Sequence, residues 1–206
     1  MFTREVWRYV LPLILLGGIA HYFFVALAIP FYILAIVLLY LFRLPKADIP
    51  SCALCVVSPV DGEVVSIEKT TDPYLNRNAV KICMESAISG SYALRSVTEG
   101  KIMQYLAQAR AGNGNSEKKE SRHARAVWIQ TDEKDDVVLV MYPGRLNKIH
   151  CYVAMGDRIG IGQQCGTTPF GGKIDIYLPE NTRLHVKAKS KAQAGADIIA
   201  EWNHQG

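Results

Sequence analysis

The sequence predicts a single β-rich (α+β) domain of barrel or sandwich type behind an N-terminal transmembrane helical hairpin. Two observations carry this expectation. Residues Tyr9 to Phe42 include no Asp, Glu, Lys or Arg, a run longer than the roughly 20 residues that cross a bilayer. From Leu44 onward, short alternating or apolar runs are separated by turn residues, with little helical periodicity. The expected division is a membrane anchor over 1–43 and a β-rich domain over 44–206.

The apolar run far exceeds the roughly 7–15 residues of a signal-peptide core, and no small-x-small site precedes a polar start, so a retained anchor is expected. Gly17, Gly18 and His21 interrupt the run, and Pro30 interrupts it again. They predict two helices over about 5–19 and 22–42 with a turn near Gly18–His21, the alternative being one long tilted helix. The first arm is short for a full crossing. Arg4, Arg8, Arg43 and Lys46 flank both ends, which places them on the cytoplasmic face of a bacterial inner membrane. At the turn, His21 is expected among headgroups or loop backbone rather than in a proton relay. A net charge of +4 gives no ground for nucleic-acid binding.

Leu44-Pro45 and Ile49-Pro50 mark the exit from the anchor, because the residue before proline is pushed out of helix. Strands are expected at Cys55–Ser58, Glu63–Glu68, Ala79–Met84, Lys101–Leu106, Ala126–Gln130, Val137–Tyr142, Ile149–Ala154, Lys173–Leu178 and Arg183–Ala188. Asp61-Gly62 is a strong turn signal between the first two. Between Gln108 and Arg125 the chain is too polar to pack and reads as an exposed loop. Cys52 and Cys55 have CxxC spacing, but Cys83, Cys151 and Cys165 lie singly, with no second pair to complete a zinc site. Reduced thiols and no bound metal are expected.

The stretch that organises the chain is Pro169-Phe170-Gly171-Gly172-Lys173-Ile174-Asp175-Ile176-Tyr177-Leu178-Pro179. It reads as a two-glycine turn feeding a half-buried strand, with Ile174, Ile176 and Leu178 inward. Four motifs in order resemble those of the phosphatidylserine decarboxylase family in its short, membrane-anchored form. They are Phe42-Arg43-Leu44-Pro45, Ser58-Pro59-Val60-Asp61-Gly62-Glu63-Val64, Gly156-Asp157-Arg158-Ile159, and Phe170-Gly171 through Pro179. The charged loop ending near Arg122 resembles another family segment, without its Asn-Glu pair.

The resemblance implies a proenzyme that cuts its own chain at a Gly-Ser bond and converts the serine to a pyruvoyl group, the electron sink for decarboxylation. An aspartate and a histidine assist that cleavage, in an arrangement resembling a Ser-His-Asp triad. Only Asp61 of the three is retained. Gly172, after Gly171, stands where the serine belongs, and Tyr92 in Ser91-Tyr92-Ala93-Leu94-Arg95 stands where the histidine belongs. The family's Ala-Arg-Arg stretch reads Leu146-Asn147-Lys148. Glycine cannot attack a carbonyl or become pyruvoyl, so no cofactor is expected.

The reading that follows is a catalytically inactive family member that binds membrane phospholipid or serves as an accessory or scaffold subunit of a membrane complex or homo-oligomer. In it, Asp61 bonds backbone two residues on in its own turn. The alternative is an active decarboxylase making phosphatidylethanolamine through an atypical cleavage site at Thr167, Thr168 or Gly90-Ser91, with His123, His150 or His185 as base. Nothing in the sequence places those histidines near Gly172.

Overall fold

Unbroken apolar sequence gives two helices, α1 (Val6–Phe23) and α2 (Val25–Leu41), in the computed structural model. The structure describes residues 6–43, 47–52, 54–87, 90–106, 124–144 and 149–203. The chain divides into two compact units, 1–46 and 47–206.

In the first unit the helix break falls at Phe24, whose extended φ of −150° ends α1. The expected turn at Gly18–His21 is therefore displaced by several residues, and His21 lies in the last turn of α1. The physical reason is packing. A Cβ on Gly17 would lie 2.9 Å from the Tyr32 ring, so this glycine lets α2 approach rather than breaking α1. Pro12 and Pro30 both sit inside continuous helix, as membrane segments tolerate. The 18-residue α1 is long and apolar enough to cross a membrane; the 17-residue α2 is just shorter. Most of their large apolar side chains are exposed, among them Leu15, Phe23, Phe24 and Ile36. An apolar surface of that extent in water is unfavourable, and it supports membrane association.

The second unit is β-rich, with no helix among its described residues. Its strands are β1 (Cys55–Val57), β2 (Gly62–Asp72), β3 (Arg77–Ser86), β4 (Ala93–Arg95), β5 (Gly100–Leu106), β6 (Arg125–Gln130) and β7 (Asp136–Pro143). They continue with β8 (His150–Cys151), β9 (Arg158–Ile159), β10 (Gln164–Thr167), β11 (Gly172–Pro179), β12 (Arg183–Leu184), β13 (Lys191–Ala192) and β14 (Ile198–Glu201). An eight-stranded sheet has the order β13-β2-β3-β11-β7-β6-β5-β9, and two three-stranded sheets have the orders β1-β14-β12 and β4-β10-β8. The large sheet ends on β13 and β9, which do not pair, so no closed barrel forms among the described residues.

All nine expected strands are present, three of them shorter than expected: Cys55–Ser58 loses one residue in β1, Ile149–Ala154 contracts to β8 and Arg183–Ala188 to β12. The unexpected strands β4, β9, β10, β13 and β14 are two to four residues long, too short for periodicity to register. The expected loop over 108–125 falls largely outside the described residues, as do Leu146-Asn147-Lys148 and His123.

β11 lies between β3 and β7 at the middle of the large sheet. Ile174, Ile176 and Leu178 enter the main core with Ile82, Leu139 and Met141. The strand is not half-buried as expected. Asp175 and Tyr177, on the other face, are also buried, because a second small cluster of Ala79, Ala126, Val138, Val140 and Tyr177 covers that side.

Candidate functional site

β10 ends at Thr167, and Thr168-Pro169-Phe170-Gly171 turns the chain into β11 at Gly172. Phe170 and Gly171 both have positive φ, 61° and 85°. Glycine adopts this conformation freely, whereas a bulky residue there costs about 1–3 kcal/mol and must be held by its surroundings. Three contacts hold it. The Phe170 ring lies 5.4 Å from the Tyr92 ring. The Thr168 N–H donates to the Tyr92 carbonyl at 3.0 Å. Gly144 comes so close that a Cβ there would lie 2.2 Å from the Gly171 carbonyl oxygen.

Gly172 begins the strand under the same constraint. A Cβ built on it would lie 2.7 Å from the Tyr142 carbonyl oxygen and 3.8 Å from the Thr168 Cβ. The position lacks a hydroxyl and is closed to a side chain unless the backbone moves. Glycine at this position has no β-carbon or hydroxyl from which a pyruvoyl group could form.

Tyr92 is fully buried. Burial raises its pKa, so the phenol stays protonated near neutral pH. Asp61 is the retained carboxylate. Its Oδ2 accepts the Ser91 N–H at 3.0 Å and its Oδ1 accepts the Ala194 N–H at 2.8 Å. The expected bond to backbone two residues on is replaced by a cross-link over long sequence distances. Gly90 permits this, since a Cβ there would crowd the Asp61 Cβ at 2.9 Å. Asp61 thus fixes residue 91, and Tyr92 beside it contacts both Thr168 and Phe170. In this way the fold brings Asp61, Tyr92, Gly171 and Gly172 into one connected region.

The other sequence candidates separate. Thr167 shares a 3.3 Å hydroxyl contact with Tyr152, and the Ser91 hydroxyl accepts the Ala93 N–H at 3.2 Å. The Thr168 hydroxyl is buried without a hydrogen-bond partner among the described residues, a state costing about 1–3 kcal/mol. His150 pairs with Thr167 across β8 and β10, so it joins the strand that feeds the turn. Only long-range pairing could have revealed that. His185 follows β12, which belongs to a different sheet, and its side chain lies against Glu201.

A buried polar cluster on the outer face of β11 was not anticipated. The Lys81 Nζ lies 3.0 Å from the Asp175 Oδ2. Burial alone would lower the Lys81 pKa, but the charge and hydrogen bond of Asp175 outweigh it and the pKa is raised. Cys83 is in register with Asp175. Burial, then the Asp175 charge, pushes its thiol up to about 11. Burial also raises Tyr142, with Asp175 again contributing. The only sequence signal was a carboxylate in an otherwise apolar strand.

Comparison with known proteins bears on the whole chain. A family model described as phosphatidylserine decarboxylase matches residues 34–200. A phosphatidylserine decarboxylase proenzyme of Nitrosomonas eutropha is 32% identical over 206 residues, covering 98% of this chain and 95% of the relative. One from Nitrosomonas europaea is 33% identical over 179 residues, covering 85% and 83%. One from Burkholderia pseudomallei is 30% identical, covering 100% and 97%.

Two outcomes are expected from this geometry. Asp61→Ala removes the acceptor for two backbone N–H groups and lowers stability by about 2–4 kcal/mol, read from denaturant unfolding, with Asp61→Asn recovering part of the loss. Alkylation of Cys83 is slow at pH 8, because the raised pKa leaves little thiolate, and it accelerates as pH rises toward about 11. Peptide mapping after timed iodoacetamide treatment measures both the site and the rate.

Proposed function

The chain belongs to the phosphatidylserine decarboxylase family, and from that premise we propose a member that stays uncut and makes no pyruvoyl group. It acts as a phospholipid-binding accessory or scaffold subunit in a membrane complex. The observation that carries this reading is Gly172, which offers no attacking hydroxyl and packs under the Tyr142 carbonyl. Tyr92 strengthens it by filling the family's histidine position with a buried, protonated phenol. Family membership links the chain to membrane phospholipids in general. The anchor over 1–43 would hold the domain over 44–206 at the cytoplasmic face of a bacterial inner membrane. Supporting that side are the basic residues that flank the apolar run.

One observation favours a second reading, an active decarboxylase. Thr168 has a buried, unpartnered hydroxyl near Gly172, on the strand connection that also carries His150's partner. Attack of its Oγ on the Thr167 carbonyl would give an ester, β-elimination would free the Thr167 carboxylate, and hydrolysis of the resulting enamine with release of ammonia would leave an α-ketobutyryl end in place of pyruvoyl.

The full chain reconstituted in nanodiscs containing phosphatidylserine tests the choice. Co-purification of phosphatidylserine without release of CO2 or formation of phosphatidylethanolamine is expected, and Gly172→Ser alone remains inactive and uncut. Turnover by the wild-type chain contradicts the proposal and directs attention to Thr168→Ala.

A further inference from the structure

Outside the region around Gly172, one group of side chains among the described residues has the composition of a metal site. β14 is the central strand of its small sheet, between β1 and β12. Cys55 on β1 is directly opposite Glu201 on β14, and Cys52 lies three residues before it. The Trp202 N–H donates to the Leu54 carbonyl at 2.9 Å, which pins the Cys-x-x-Cys loop to the end of β14. Both sulfurs and a Glu201 carboxylate oxygen lie within 4.8 Å of one another. On the other side, His185 is fixed by its N–H to the Ile199 carbonyl at 3.0 Å and places Nε2 3.0 Å from the Glu201 Oε2.

The structure joins Cys52 and Cys55 in a disulfide, with a Cα separation of 5.6 Å. The expectation of reduced thiols is thereby corrected for this pair; Cys83, Cys151 and Cys165 are free. The pairing is a local one, between cysteines three residues apart in sequence.

We propose that the reduced form of this cluster binds a zinc-class divalent cation through Cys52, Cys55 and Glu201, and that the disulfide form does not. An external dithiol supplies two electrons and two protons, opening the disulfide to two thiols and becoming a disulfide itself. Metal binding then releases both thiol protons and forms two metal–sulfur bonds and one metal–oxygen bond, with water in the fourth position. Zinc–sulfur bonds of about 2.3 Å in tetrahedral geometry separate two sulfurs by about 3.7 Å. That spacing is well beyond a disulfide bond, so the two states exclude each other. Cys55 is fully buried and Glu201 is 37% exposed along its side chain, so the site is anchored on one side and open to solvent on the other. His185 acts as a positioning residue, orienting the Glu201 carboxylate from outside the ligand set.

Titration of the detergent-solubilised full chain with Co2+, before and after reduction by a dithiol, tests the proposal. One Co2+ per chain with thiolate-to-cobalt charge-transfer absorption is expected only after reduction, and Zn2+ should displace it. Cys52→Ser should abolish the absorption, while His185→Gln should weaken affinity by about 10–100-fold without removing the band. Absence of the band from the reduced chain, or an identical band in Cys52→Ser, overturns the assignment. If Cys52→Ser fails to fold by circular dichroism, Glu201→Gln decides instead, since unchanged cobalt affinity in that variant also overturns it.

Discussion

The close approach of two backbone segments governs this domain. The turn at Phe170-Gly171-Gly172 presses against Tyr142 and Gly144, with hypothetical Cβ contacts of 2.7 Å at Gly172 and 2.2 Å at Gly144. A side chain could enter that interface only with a shift of the backbone, so glycine on both sides leaves the approach unstrained. The same approach starts β11 in register, with Gly172 opposite Pro143 and Lys173 opposite Tyr142. From there the strand carries Ile174, Ile176 and Leu178 into the core. A requirement of packing and the loss of a nucleophile thus meet at one residue.

Tyr92 supports the same turn. Its large aromatic side chain packs against Phe170 and helps hold its left-handed backbone. Asp61 persists for a different reason, since both its carboxylate oxygens accept backbone N–H groups far away in sequence. A carboxylate that satisfies buried amides is costly to remove whether or not any chemistry depends on it.

The β-rich architecture was largely legible because long strands such as Lys173–Leu178 and Val137–Tyr142 carry their own periodicity. The short strands were not, since pairs such as β4 with β10 are specified by partners rather than by local pattern. Helix α1 was mistaken at its end because Gly17 resembles a breaker in sequence yet serves as a contact surface for Tyr32. The motif residues Asp61, Tyr92, Gly171 and Gly172 could be named in advance, but their connection through Ser91 and Thr168 could not. The burial of Asp175 is not legible in the sequence, because nothing local reveals the second cluster on its face of the strand. The Cys52–Cys55 spacing was visible, whereas Glu201 and His185 reach it only through pairing in the β1-β14-β12 sheet.

The intact mass of the detergent-solubilised chain under denaturing conditions tests the central claim most directly. The account predicts one species near 22.9 kDa, allowing for N-terminal processing. Two species that sum to the full chain, the smaller beginning with a ketoacyl group, would contradict it and would identify the residue that cleaves.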